Sequence, residues 1–291
     1  MHRIMAIGVA IAAFVAVNAC SACHTTGSAG KGSPPSTAAV PPAADELFSA
    51  IPLPLDAFRQ TASELATLTA AYNVLDHRCM AAKGYDYPPA QLLLVQQYPK
   101  TPPNFMRYGE DTDRAADLSR DDYGYYLTGI RTGSRPVLSM SAAEQSTQFG
   151  DSNRRPGGCA LVASQQLSAN GADSTSTTAT VGSLDSRSFE ASFDDKRVKA
   201  VIASWSACMR ARGYSVDAPV GREINAFAWP HEERLADVAC KRQVDLVRVW
   251  SGVETQIQNT LISENAQALT AEKQLREITV RNAYAVIAAN G

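Results

Sequence analysis

Apolar positions recur at helical spacing over most of the chain, and strict alternation is rare, so the pattern predicts a mainly α fold. The first stripe runs through Phe58, Leu65, Leu68, Ala71 (or Tyr72) and Leu75 up to Cys79. A Pro-rich middle follows, where Pro88, Pro89, Pro102 and Pro103 forbid a long helix. Short helices are expected over 90–97 and 142–149, the second with Ser141 and Glu144 at capping-box spacing. Residues 159–167 and 196–212 read as further helices, the latter with Val198, Val201, Ile202 and Trp205 on one face. From Glu232 to Ala289 there is no proline. The stripe Leu246, Trp250, Val253, Ile257, Leu261, Ala268, Leu275, Ile278 suggests one long helix of roughly 85 Å, with Gly252 as the expected break. Glu272–Arg276 and Glu277–Arg281 are spaced as exposed i,i+4 pairs that support it.

Two stretches interrupt this pattern. Residues 24–45 are Ser, Thr, Gly, Pro and Ala with one lysine, a composition that buries no core and acts as a tether. Residues 168–187 are similar and read as a linker. The resulting division is a signal segment 1–19, a tether 20–45, a helical module 46–167, a linker 168–194 and a second module 195–291 that ends in a long helix. Long irregular loops complete the fold class.

At the N-terminus, a short basic start precedes an apolar run from Ile4 to Val17. This run is too short to span a bilayer, for which about 20 residues are needed, and it has the shape of an export signal. Val17-Asn18-Ala19-Cys20 resembles a lipobox, with Asn18 off pattern. That resemblance implies cleavage before Cys20, a diacylglycerol on its thiol and anchoring on the outer face of the membrane, since two or more acyl chains hold stably. The same cysteine begins Cys20-Ser21-Ala22-Cys23-His24, the C-x-x-C-H pattern of covalent c-type haem. Haem would place both thiols in thioethers and His24 on the iron. The lipobox is the favoured reading. The signal occupies the place where such cytochromes carry a helix, and the residues after the motif supply no apolar pocket.

Composition adds limits. In 291 residues, 27 basic and 29 acidic side chains give a net charge of −2, so no global field attracts nucleic acid. An export signal combined with 6 cysteines points to a disulfide framework.

The strongest internal signal is a duplication. Cys79-Met80-Ala81-Ala82-Lys83-Gly84-Tyr85 matches Cys208-Met209-Arg210-Ala211-Arg212-Gly213-Tyr214. Gly84 and Gly213 fit the left-handed residue that closes a helix, and Lys83 and Arg212 fit its negative end. In a Schellman ending, Tyr85 would fold back over Met80, and Tyr214 over Met209. Each motif precedes one more cysteine expected near a helix start, Cys159 and then Cys240. The four allow three pairings, and the duplicated order favours Cys79–Cys159 and Cys208–Cys240. Chain entropy then contributes about 4.5 and about 3.7 kcal/mol respectively. Cys23 is left over.

These modules, with Arg107-Tyr108-Gly109, Gly158-Cys159 and the segment from Glu254 to Asn265, resemble uncharacterised secreted lipoproteins of actinobacteria over most of 56–289. The resemblance implies export, anchoring and stapling; it implies no reaction.

Motif chemistry is sparse. The four histidines are His2, His24, His77 and His231. His231-Glu232-Glu233 begins like a zinc-protease H-E-x-x-H but has Leu235 where the second histidine belongs. No nucleophile elbow, phosphate loop or dinucleotide fingerprint occurs. Asp111 with Asp113, or Asp121 with Asp122, lacks EF-hand spacing, and no metal or cofactor is called for. A carboxylate pair for hydrolysis of an envelope polymer has no local spacing rule, so it stays as an alternative function. Seven of the ten tyrosines lie between Tyr85 and Tyr126. Tyr108, Tyr123, Tyr125 and Tyr126 therefore form a candidate binding surface for cell-wall glycan or an envelope protein, with core packing as the plainer reading. The expectation is a lipid-anchored, non-enzymatic binding protein. The alternatives are an exported cytochrome and an envelope hydrolase.

Overall fold

A computed structural model describes residues 44–85, 102–119, 126, 140–150, 157–168, 179–219 and 229–289. The signal segment, Cys20, Cys23, His24, the expected helix at 90–97, Asp121, Asp122, Tyr123 and Tyr125 lie outside the described residues. The elements are α1 (Ala44–Leu47), a 3-10 turn η1 (Pro54–Phe58), α2 (Ala62–Ala82), α3 (Asp113–Ala116), α4 (Ala142–Phe149) and α5 (Gly158–Leu167). They continue with α6 (Ala179–Ser192), α7 (Lys196–Ala211), α8 (His231–Val244), α9 (Leu246–Glu264) and α10 (Ala266–Ala288). Among the described residues there is no β-strand, only a single bridge between Arg107 and Gly109.

Local signals account for many ends. Ser141 and Glu144 close the predicted capping box of α4, and Thr61 with Glu64 makes a second at α2. Both cysteine motifs end in Schellman turns. Gly84 and Gly213 stand at φ +85° and +92°. Tyr85 N–H donates to Met80 O at 3.1 Å, and Tyr214 N–H to Met209 O at 3.0 Å. Lys83 and Arg212 are the C-cap residues.

Both expected disulfides form. Cys79–Cys159 joins α2 to α5 with Cα atoms 5.5 Å apart, and Cys208–Cys240 joins α7 to α8 at 5.7 Å. Gly158 makes the first possible. It sits at φ +58°, and a Cβ there would lie 2.1 Å from Thr147 O. Any side chain would push α5 off α4 and draw Cys159 away from Cys79. Cys240 is not near a helix start, as the sequence suggested, but in the tenth position of α8.

The C-terminal third departs most from expectation. The chain does end in a long helix, α10 (Ala266–Ala288), but the proline-free stretch is broken at Asp245 and Asn265 and not at Gly252, which lies inside α9. Asp245 adopts φ 61°, a left-handed conformation that Asp tolerates better than most residues. The break at Asn265 resets the register, so α10 buries Leu269, Val280 and Ala283 and leaves Ala268 exposed. The same face buries Glu272 and Arg276, which were expected to be an exposed pair. Glu272 instead accepts the N–H groups of Thr180 and Val181 at the start of α6, and Arg276 donates to Phe58 O.

The 168–194 linker also needs correction. From Ala179 onward it is helix α6, held by buried Val181 and Leu184 and by Phe189 packed on the main core. Sparse but correctly spaced apolar residues prevail over a small-residue composition once neighbours cover them.

The described residues from 44 to 289 fall in one compact unit. α2 of the first cysteine motif packs against α10 from the far end of the chain as well as against α5. The main core gathers Trp205, Trp250, Tyr108, Met209, Val198 and Leu246. A second cluster of small and branched residues, Ala71, Leu75, Ala163, Leu167 and Ala283, lies between α2, α5 and α10.

Candidate functional site

Two polar groupings stand out. The first is sealed. Glu254, on α9 and fully buried, accepts hydrogen bonds from Arg107 Nε at 2.9 Å, Tyr108 Oη at 2.7 Å and Ser188 Oγ at 2.7 Å. Arg107 Nη2 also pairs with Glu254, and Nη1 reaches Asp185 at 3.0 Å. Gln258 donates to Ser188 Oγ and accepts Leu55 N–H, so η1 is tied in as well. The Phe189 ring lies 5.0 Å from the Arg107 guanidinium carbon and stacks on Trp250.

The electrostatics follow from burial. Tyr108 is pushed far above the usual phenol range, first by desolvation and then by the Glu254 carboxylate. Desolvation opposes the charge on Arg107, but the hydrogen bonds and charge of Glu254, then Asp185, outweigh it and raise the guanidinium further. The acceptor sites on Glu254 are taken by protein donors, so this cluster ties helices together and leaves no face for a substrate.

The second grouping is buried at its centre and reaches an open cleft through Lys241. Arg234 forks onto Glu110 with Nε at 3.0 and 3.1 Å from its two oxygens, and donates to Leu118 O and Ala115 O. Burial raises Glu110 above the usual carboxylate range, against the opposing pull of Arg234 and Lys241. Lys241 is 2% exposed and donates to Glu110 O at 3.1 Å and Asp237 Oδ2 at 2.7 Å. Asp237 also accepts Trp205 Nε1–H at 2.9 Å.

Lys241 then forms part of the wall of a cleft of about 400 Å³ where α8 meets α9. Arg242, Arg248, Asp111 and Asp245 line the same cleft, with Ile51, Pro52 and Val247 as its apolar part. The volume is within the range of small-molecule sites.

The sequence-based candidates divide. Cys79, Cys159, Cys208 and Cys240 meet in pairs. Tyr108 and Tyr126 are 0% and 3% exposed, so neither presents its ring as a binding surface. Tyr108 serves Glu254 and the Trp250 core, and Tyr126 packs edge-on to Phe48. The plainer packing reading therefore applies to both. Asp111 lies at the cleft and Asp113 starts α3, while His231 Nε2 pairs with Asp117 on the surface at 2.7 Å. Among the described residues, no group of three His, Cys, Asp or Glu side chains is placed to hold a metal.

Sequence reasoning missed the cleft. Lys241-Arg242 before Asp245 was the available sign, since basic residues gather in the last turn of a helix and short acids suit the left-handed stop after it. Arg107-Tyr108 and Glu254 were singled out by resemblance, and the fold brings them into contact across 147 and 146 positions.

No protein family, no curated protein and no solved structure matches the chain.

Proposed function

We propose that this chain is an exported helical protein anchored by lipid on Cys20 to the outer face of a membrane, where it acts by binding and not by catalysis. The observation that carries the reading is the pair of disulfides, Cys79–Cys159 and Cys208–Cys240. Such bonds persist in oxidising compartments outside the cytoplasm. Four of the six cysteines are thereby consumed; Cys20 and Cys23 remain, and the lipobox resemblance assigns the lipid to Cys20.

The binding role is supported by the contrast between the two polar groupings. The most concentrated acid–base cluster, around Glu254, is saturated and closed, whereas the cleft is open and lined by charge. The resemblance to actinobacterial lipoproteins agrees with anchoring and leaves the partner open. An envelope glycan or protein reached from the tether is the class of partner expected.

Intact-mass measurement of the mature full-length protein, with and without reduction, tests this reading. A chain beginning at Cys20 with a diacylglycerol-sized increment is expected, and reduction should add about four mass units for two disulfides. An increment of haem size with a visible absorption band would establish the cytochrome alternative. An unmodified chain would refute anchoring.

A further inference from the structure

We propose that the cleft between α8 and α9 is a recognition site for an oxyanion, a phosphate or carboxylate group carried on a small, partly apolar body. This rests on the reading of the protein as a binding protein and names the ligand class of that reading.

The wall carries three cations, Lys241, Arg242 and Arg248, against two carboxylates, Asp111 and Asp245. The cations differ in how they are held. Lys241 is buried and fixed by Glu110 O and by its ion pair with Asp237, so it is held in place at no further ordering cost, with its charge partly balanced. The two arginines are the opposite. Arg248 places Nε at 2.6 Å and Nη2 at 2.5 Å from Asp245 Oδ2, with the two side chains 74% and 54% exposed. Arg242 Nη1 lies 3.1 Å from Asp113, again with both partners more than half exposed. Exposed pairs of this kind contribute little and are readily exchanged. Each guanidinium presents five donors in a planar fork that matches a carboxylate or phosphate edge. An incoming oxyanion would take over one or both forks while Lys241 supplies fixed charge beside them. Asp245 holds the Arg248 fork where that anion would sit, and Asp113, beside the cleft, holds the fork of Arg242.

The remaining lining suits the body of such a ligand. Ser49, Ala50, Ile51 and Pro52 form an irregular strand of chain. Ile51 N–H donates to Pro103 O at 3.1 Å, and Asn104 Nδ2 donates to Ile51 O at 2.9 Å. This stretch is therefore pinned at Ile51 and brings Ala50 and Pro52 to the same cleft as the cations.

The proposal makes Asp245 an internal competitor, which gives it a signature that a structural role would not produce. Asp245→Asn keeps a residue suited to φ 61° and removes one negative charge from the cleft. The experiment is a titration of the full-length protein, followed by backbone amide shifts, with sodium phosphate in one arm and sodium succinate in the other at constant ionic strength. Saturable shifts are expected at Ile51, Asp111, Asp245 and Ser251 in at least one arm. D245N should tighten that binding about fivefold and R248A should weaken it by a similar factor. The tighter arm identifies the group as phosphate or carboxylate.

The proposal is overturned if neither anion gives saturable shifts at the cleft. It is equally overturned if D245N binds no more tightly, or if the shifts appear just as strongly beside exposed arginines elsewhere, such as Arg197 and Arg281. Anchoring is decided separately by intact mass, so failure here would leave the Cys20 reading in place.

Discussion

The Glu254 cluster and the α8–α9 cleft are made of the same side chains, arginines facing carboxylates, and serve opposite ends. At Glu254 the acid is fully buried, and the adjacent Arg107 and Tyr108 converge on it with Ser188 from two separate segments. At the cleft, Arg242 and Arg248 each hold an aspartate in solvent. The difference is desolvation. A buried ion pair cannot release one partner without stranding the other in a poor dielectric, so it acts as a fixed joint. A solvated pair can be exchanged at little cost, so it can respond to a ligand.

The largest expected effect therefore falls on the sealed cluster. Glu254→Gln leaves Arg107 buried with only Asp185 to balance it and should destabilise the protein by about 3–5 kcal/mol. Denaturant unfolding with both disulfides intact would measure this as a lower midpoint. Combining it with Arg107→Met should recover part of the loss, because no uncompensated charge then remains. If E254Q costs no more than an ordinary surface substitution, the two regions do not differ in the way argued.

Much of what positions these regions could be read from the chain, and what could not has a physical reason. The Schellman ends at Gly84 and Gly213, the capping box at Ser141 and the pairing of the four cysteines depend on residues a few positions apart or on the repeat itself. The break at Asp245 was missed because a non-glycine left-handed stop leaves a weak local mark, and that at Asn265 because an apolar series at helical spacing can be drawn from Leu261 to Ala268 although the buried face resets to Leu269. The burial of Glu272 and Arg276 was missed for a related reason. An i,i+4 acid–base pair looks the same in sequence whether it faces water or, as here, the start of α6 and Phe58 O. The Arg107–Glu254 contact spans 147 positions, and no local pattern encodes such a pairing.

The next effect in size concerns Tyr108, which gives the sealed cluster a pH signature. Tyr108→Phe removes a hydrogen bond to a buried carboxylate and should cost about 1.5–3 kcal/mol. The phenol is raised above its ordinary value of 10.0 in the folded state, first by desolvation and then by Glu254. The folded protein thus holds that proton more tightly than the unfolded chain does. The corresponding stability is fully present below pH 10 and declines as pH climbs above it toward the folded value. Stability measured from pH 9 to 11 should fall with a slope that Y108F reduces. An unchanged slope in Y108F would mean that the hydroxyl is solvated and the cluster is not sealed.

The smallest stability effect is expected at the open cleft, and its smallness is the informative result. Arg248 is 74% exposed and its partner Asp245 is 54% exposed, so water already competes for both ends of the pair. Removing the guanidinium strands no buried group, since Asp245 regains solvent in its place. Arg248→Ala should leave the thermal midpoint within about 2 °C of the parent, the range of an ordinary surface change in a chain of this size. Tm measured at low and moderate salt should show the same small difference, because screening acts on an already weak pair. A drop comparable to that of E254Q would mean that Arg248 is part of the structural framework, and the distinction between a fixed joint and an exchangeable pair would fail at the residue on which it is easiest to test.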